Sequence, residues 1–345
     1  MKYKNLIYFQ NGSMGDFLMT IFFLENVYLN NPELNLYVVV PKSEKLLQQF
    51  LEKYSYIKII LVNRKSYKGI SGMIKLLKFY FSSNLVLTAP TPGKLSLLVK
   101  LQAKMIALMP YSKLVGFDDG EKINETIYNE VLDYHTDIIY PEFLKQVLLS
   151  LGFEIKIENP LFRYQKDENI LKRMDLTENS FVVINPLAAT QGRSLNGKEM
   201  SDFIKEIKKI NNNLKIVLTG GGNDSEILQN FSKIFDNVFV FVNLRITDLC
   251  NLIEGANLFV GVDTGTTHLA SFLNKKSLVI AKNGTPNWLP YYNKNARILF
   301  SINNCNQVIY EGRDFLEKNR GSKLRCLENV PVEVVKRSLG EILTK

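Results

Sequence analysis

Short apolar runs alternate along this chain with longer stretches whose apolar residues recur every three or four positions. The runs Leu6–Gln10, Leu36–Val40, Ile57–Val62 and Leu85–Thr88 are the length of strands, and their Val, Ile and Leu content suits strands buried on both faces. Between them, Glu44–Tyr54 places Leu46, Leu47, Phe50 and Leu51 on one side of a helix. This alternation predicts a parallel sheet covered by helices on both faces. A helix over Asp137–Leu151 closes the first half.

Residues 152–180 then turn polar, with Lys156, Glu158, Asn159, Lys166, Asp167 and Glu168 around Pro160. They read as a connection between domains holding one short strand or helix. Beyond it the pattern restarts. Strands are predicted at Phe181–Asn185, Lys215–Thr219, Val238–Val242, Leu258–Val262 and Ser277–Ala281. Helices are predicted at Gly197–Ile210, Ser225–Phe235, Thr247–Glu254 (with Thr247 as N-cap) and Thr267–Leu273. An amphipathic helix follows over Val332–Leu343. The fold class is therefore α/β in two tandem halves, 1–160 and 161–330, with a C-terminal helix in 331–345. Such halves bind ligands at the carboxyl ends of their strands, in the cleft between them.

A length of 345 residues suits two domains, and 46% hydrophobic residues give each a core. Lys and Arg number 43 against 34 Asp and Glu, a net charge of +9. That excess suits an anionic partner: a phosphorylated substrate, a membrane surface or nucleic acid. A merely basic protein would look the same. There is no arginine-rich arm and no zinc-finger spacing, so nucleic acid is set aside. The sparse, odd cysteines (Cys250, Cys305, Cys326) fit a reducing compartment. With only two histidines, His135 and His268, no clustered transition-metal site is expected. The first apolar run is too short for a signal-peptide core, and no run reaches the roughly 18 apolar residues of a membrane span. The expectation is a cytoplasmic protein.

Three segments carry chemistry. Asn11-Gly12-Ser13-Met14-Gly15-Asp16 lies between the first strand and a helix, where Gly12 and Gly15 let backbone approach a ligand. Asp16 can take a proton from a substrate hydroxyl, or simply complement the helix dipole. The segment lacks the G-x-G-x-x-G spacing, which argues against a nicotinamide-dependent oxidoreductase. Asn185 to Asn196 follows a strand. Pro186, Thr190 and Arg193 there suit either anion recognition, with Arg193 bidentate on phosphate, or an ordinary basic loop, and Asn196 suits a helix N-cap. Asp263-Thr264-Gly265-Thr266-Thr267-His268 combines hydroxyls, a glycine and free amides at a helix start, a cradle for a diphosphate. Asp263 would orient the loop or bind sugar hydroxyls, and His268 would point at the same place. Gly220, at a strand end, and Gly284, in a Gly-Thr-Pro turn before Trp288, would border a nucleotide; the Trp288 turn reads equally as an aromatic plug.

Together these segments resemble glycosyltransferase family nine, the lipopolysaccharide heptosyltransferases, in order and over nearly the whole chain. Gly12 to Leu18 is similar to the family's G-x-x-G-D-x-[LIV] element, Asn185 to Ala189 to N-P-G-A, and Val217 to Gly221 to the strand that follows. Asp263 to Ala270 is similar to D-T-G-x-x-H-L-A. Gly284-Thr285-Pro286 and Trp288-Leu289-Pro290 fit a further element, as does Cys326. The resemblance implies a GT-B fold of two facing Rossmann-like domains, the acceptor on the N-terminal one and the donor on the C-terminal one. It also implies inverting, metal-free transfer of heptose from an ADP-sugar, with Asp16 as base. No further cofactor is implied. The partners would be the nucleotide-sugar donor, a phosphorylated glycolipid acceptor and the inner face of the inner membrane. Leu187, Arg193 and Leu195 replace the family's usual Gly, Lys and Trp. A GT-B enzyme of other donor or acceptor, or a non-catalytic sugar-nucleotide binder, is the alternative.

Overall fold

The computed structural model describes residues 3–10, 14–41, 45–62, 76–77, 79–89, 97–133, 138–157, 164–167, 169–189, 191–282, 288–290, 293–302, 308–309, 326–327 and 330–344. The chain forms two compact units, one of residues 1–135 and 141–163, the other of 136–140 and 164–345.

The first unit is a parallel sheet in the order β3-β2-β1-β4-β5-β6. Its strands are β1 (Asn5–Phe9), β2 (Asn35–Pro41), β3 (Ile57–Val62), β4 (Asn84–Thr88), β5 (Lys113–Phe117) and β6 (Glu130–Leu132). β1 and β4 are buried along their whole length, as their continuous apolar sequences require. The helices are α1 (Met14–Asn30), α2 (Lys45–Leu51), α3 (Leu97–Ile106), α4 (Asn124–Ile127) and α5 (Tyr140–Ser150). α1 buries most of its circumference. Its two asparagines hold the polar segment that follows α5. Asn26 Oδ1 accepts from the amides of Lys156 (2.6 Å) and Ile157 (3.0 Å). Asn30 Nδ2 donates to Glu154 O at 2.8 Å, and Glu154 N donates back to Asn30 Oδ1 at 3.0 Å. Part of the expected linker is thus bound to the first unit by side chains that imitate a strand partner.

The second unit has an eight-stranded sheet. Its strands are β7 (Phe181–Asn185), β8 (Lys215–Gly220), β9 (Val238–Val242), β10 (Leu258–Val262), β11 (Ser277–Ala281), β12 (Ala296–Ile302), β13 (Val308–Ile309) and β14 (Cys326–Leu327). The order is β13-β12-β11-β10-β7-β8-β9, with β14 also on β12. β7 to β12 pair in parallel, and β13 and β14 run antiparallel to β12. Its helices are α6 (Ile170–Arg173), α7 (Gly197–Ile210), α8 (Ser225–Ser232), α9 (Ile246–Gly255), α10 (Gly265–Phe272) and α11 (Val332–Leu343).

Four details differ from the sequence reading. α9 begins at Ile246 after Arg245, so Thr247 lies inside the first turn and is not the cap. α10 begins at Gly265, two residues early, because Thr264 has the extended backbone of an N-cap. α11 is no separate appendage, since Val335 and Leu339 are buried in the same core as Val182, Ile204 and Leu299. Residues 136–140 belong to the second unit, where Ile139 packs on Val279 and Leu289, and Tyr140 stacks on Trp288 at 4.1 Å.

Candidate functional site

In the second unit the chain leaves β7 toward β8 on one side and leaves β10 toward β11 on the other, although β7 and β10 are neighbours. The loops at their carboxyl ends therefore run apart, which is where an open α/β sheet takes ligands. Asn185 ends β7 directly opposite Gly261 of β10. A methyl group on Gly261 would meet Thr267 Oγ1 at 2.5 Å and the Phe259 ring at 2.7 Å, so only glycine lets the next turn fold this tightly.

That turn is built from its own hydroxyls. Thr264 Oγ1 donates to Asn185 Oδ1 at 3.0 Å, and Asn185 Nδ2 donates to Thr219 O at 3.0 Å. One buried asparagine thus ties the ends of β7, β8 and β10. Thr267 Oγ1 donates to Val262 O at 2.5 Å from a fully buried side chain. The hydroxyls of Thr264 and Thr267, expected to face a diphosphate, hold the loop instead. The Thr264 side chain makes no bond to the α10 amides, so the amides of Gly265, Thr266 and Thr267 keep the anion-binding character of a helix N-terminus.

Asp263 sits between Arg193 and His268. Arg193 Nη1 lies 3.4 Å from Asp263 Oδ2, and His268 Nε2 lies 3.7 Å from Asp263 Oδ1. Asp263 and His268 are buried, while a third of the Arg193 side chain is exposed. The guanidinium is therefore held at the turn by a carboxylate with part of its surface open, an arrangement that can receive a phosphate.

The loop that carries Arg193 is braced at both ends. Leu195 N donates to Pro186 O at 2.8 Å, and Ala188 N donates to Ser194 Oγ at 2.9 Å. Leu195 is buried in the core and Leu187 packs against it. Asn196 caps α7 as expected, accepting from Lys198 N and Glu199 N, while Glu199 Oε2 accepts from Asn196 N at 2.7 Å. Both Glu199 oxygens also accept from the buried Lys282 Nζ at 2.7 Å, and Lys282 reaches Ser194 O at 3.3 Å. Asn185, Glu199 and Lys282 were not singled out from the sequence. The Asn-x-x-Glu spacing of a capping box was the one available signal, and nothing local marks Lys282.

Gly220 ends β8 beside this turn. A Cβ there would meet Asp224 Oδ2 at 2.7 Å, because Asp224 folds back to accept from Gly221 N at 2.6 Å. Pro186, Arg193, Gly220 and Asp263 to His268 thus gather at three strand ends of the second unit. Trp288 is buried against Tyr140, the packing of an aromatic plug. In the first unit, Gly15 and the half-buried Asp16 form the first turn of α1 after β1, and Asp16 O accepts from Thr20 Oγ1 at 3.0 Å. Gly12, Ser13, Thr190, Gly284 and His135 lie outside the described residues. Among the described residues no group of three or more His, Cys, Asp or Glu converges as a metal set, and no helix is long and apolar enough to cross a membrane.

Residues 101–316 match the family described as glycosyltransferase family 9 (heptosyltransferase). A family 9 glycosyl transferase from Veillonella parvula DSM 2008 superposes over 100% of this chain and 98% of its own, with 17% identity and a TM-score of 0.75. The E. coli ADP-heptose lps heptosyltransferase II superposes over 99% and 98%, with 14% identity and a TM-score of 0.69. The E. coli heptosyltransferase WaaC with ADP superposes over 85% and 92%, with 16% identity and a TM-score of 0.63. No curated protein sequence matches the chain.

Proposed function

From its membership of glycosyltransferase family 9, the GT-B fold it shares with the heptosyltransferase structures, and the geometry at the ends of β7 and β10, we propose that this enzyme transfers heptose from ADP-heptose to a sugar hydroxyl of a lipopolysaccharide inner core. The observation that carries the reading is the Asp263–Thr264–Gly265 turn. It places a helix N-terminus and the Asp263-held Arg193 guanidinium at one switch point.

In this reading the donor diphosphate meets the amides of residues 265–267 and the Arg193 side chain. Thr190 and Gly284 contribute to the same donor site, with Pro186 and Gly220 beside the nucleotide. Arg193 exchanges part of its contact with Asp263 for phosphate oxygens. His268 stays with Asp263 and keeps that carboxylate oriented. Gly12, Ser13 and Gly15 shape the acceptor side, and Asp16 removes the acceptor proton. The hydroxyl oxygen forms its bond to the anomeric carbon as the bond to the diphosphate breaks on the opposite face, so the centre inverts. Negative charge grows on the departing diphosphate, and fixed donors aimed there lower the barrier without reorganising. No metal is required, because Arg193 and the helix amides neutralise that charge. The working place is the cytoplasmic face of a membrane that carries the acceptor.

A thermal-shift titration with ADP, UDP, GDP and CMP, each with and without EDTA, tests the donor. Stabilisation by ADP that EDTA leaves unchanged is the expected result. Stabilisation by another nucleotide would move the donor, in keeping with Leu187 and Arg193 standing where the family usually has Gly and Lys. Loss of the ADP effect in EDTA would overturn the metal-free step. No response to any nucleotide would turn the reading to a non-catalytic relative.

A further inference from the structure

Among the described residues the two sheets have four outer edges, and three of them are blunted against further pairing. β3 carries the exposed Lys58, β6 is three residues long and starts with Glu130, and β13 and β14 are two residues each. β9 is the exception. It is five residues long, reads Val-Phe-Val-Phe-Val, and holds no charge, proline or glycine. Phe239, Val240, Phe241 and Val242 are half-buried, so water reaches this edge.

The outward hydrogen-bonding groups of β9 follow from its pairing with β8. Ile216 N donates to Asn237 O at 2.9 Å, and Asn243 N donates to Gly220 O at 3.0 Å. Alternate residues of a parallel ladder face the same neighbour, so Phe239 and Phe241 bond to β8 as well. Val238, Val240 and Val242 turn their amides and carbonyls away from it. Their side chains go to the core, where Val238 is buried and Val240 and Val242 pack on the cluster that holds Leu218 and Leu228. The two phenylalanines stand on the opposite face of the sheet, where Lys215 Nζ lies 5.1 Å from the centre of the Phe239 ring. The edge also reads the same in both directions. Asn237-Val238-Phe239-Val240-Phe241-Val242-Asn243 is a palindrome centred on Val240. Both asparagines have left-handed backbone, with φ of 56° and 55°, so the strand ends at equivalent points.

We propose that β9 pairs antiparallel with β9 of a second copy of this chain, about a two-fold axis at Val240. In that register Val240 meets Val240 of the second copy, and Val238 meets Val242. Each outward valine then exchanges both of its backbone bonds with a valine. Phe239 meets Phe241 of the second copy at the closer, non-hydrogen-bonded positions, where aromatic side chains pair well. Charge agrees with the direction. Asp236 precedes the strand and Arg245 follows it, and both are exposed; beside Asp248, 71% of the Arg245 side chain stays in solvent. Antiparallel copies set Asp236 next to Arg245, whereas parallel copies would set each next to its own kind. A strand from a different protein gives no reason for the palindrome. A seam of five residues is about 17 Å long and buries less than the roughly 1,200–2,000 Å² of a stable dimer. The dimer is therefore reversible and forms as concentration rises. It goes beyond the transferase reading and does not rest on it.

Sedimentation velocity of the full chain over a range of concentrations tests the pairing. The expected result is a monomer that converts to a dimer. Phe239→Lys or Phe241→Glu should each weaken the dimer about tenfold, because the axis repeats the change. Mixing Phe239→Lys with Phe241→Glu should restore it, since the axis sets position 239 against 241. Mixing Phe239→Lys with Phe239→Glu should not. Both side chains are half-exposed, and an unchanged thermal melting curve shows that each variant folds. Asp236→Lys lies outside the strand and should weaken the dimer about threefold with the core untouched. A monomer at every concentration would overturn the proposal and leave the edge to a strand of another protein. Substitutions without effect, equal recovery in the two mixtures, or growth into fibres in place of a dimer would overturn it as well. None of these outcomes depends on the nucleotide response, so the pairing and the donor reading fail separately.

Discussion

Lys282 and Glu199 form a buried ion pair at 2.7 Å that joins the carboxyl end of β11 to the first turn of α7. The pair does two further things. Glu199 closes the capping box on Asn196, and Lys282 holds the carbonyl of Ser194, next to Arg193. The position of the proposed phosphate-binding arginine therefore depends on a charge 89 residues away in sequence.

Breaking a buried pair on one side leaves an uncompensated charge, which costs about 3–5 kcal/mol. Lys282→Met is expected to lower the unfolding free energy by that amount in a denaturant titration. It should also weaken the ADP-induced thermal shift. Adding Glu199→Gln removes the stranded carboxylate and should recover part of the stability, with the capping bond to Asn196 N preserved. A strictly additive double variant would show that the two side chains do not act together.

Asp16 and Arg193 are expected to fail differently. Asp16→Asn keeps the shape of the side chain and removes its basicity. Turnover should fall by about 10²–10⁴ with nucleotide stabilisation unchanged. Arg193→Ala removes a donor to the leaving group, so turnover should fall by about 10²–10³ and the ADP-induced shift should shrink with it. Steady-state rates set beside thermal shifts separate the two. A variant at position 16 with full activity would point to a dipole-complementing helix residue.

Tyr128 gives the first unit an alkaline limit. Its ring fills the space left by Gly116, whose added Cβ would lie 2.2 Å from the ring. Burial pushes its hydroxyl up from 10.0 to about 12, with the Thr88 hydrogen bond pulling it back and the Asp119 carboxylate adding to the rise. The neutral form is favoured by the fold, so its contribution is complete below pH 10, where the unfolded chain is also neutral. It is lost as pH rises through about 12. Melting temperature should fall more steeply across that window in the parent than in Tyr128→Phe. Parallel curves for the two would show that the ring ionises as freely in the fold as in water.

The positions of most elements were legible in the sequence. β7, α7, β9, β10, β11 and α11 begin and end where the apolar pattern places them. Each depends on local rules: continuous Val and Ile for a strand covered on both faces, a three-to-four spacing for a helix packed on one side, and Asn196 for a cap. The strand–turn–helix motifs were legible for the same reason, since glycines and hydroxyls at a strand end have few structural uses. Helix starts were read less well. Thr264 and Arg245 take the N-cap positions through backbone conformation alone, with no capping side-chain bond to mark them.

The tertiary structure decided what those motifs do. Strand order sets β10 beside β7, and this brings Asn185 to Thr264 across 79 residues and Arg193 to Asp263 across 70. It also turned the hydroxyls of Thr264 and Thr267 inward, because buried polar groups at a tight turn must find partners. Only packing showed that α3 buries Val99 and Ala103 and leaves Leu97 and Leu101 outside. Local periodicity fixes which residues share an element. Which elements meet depends on burying every apolar face at once, a condition on the whole chain that no short window of sequence contains.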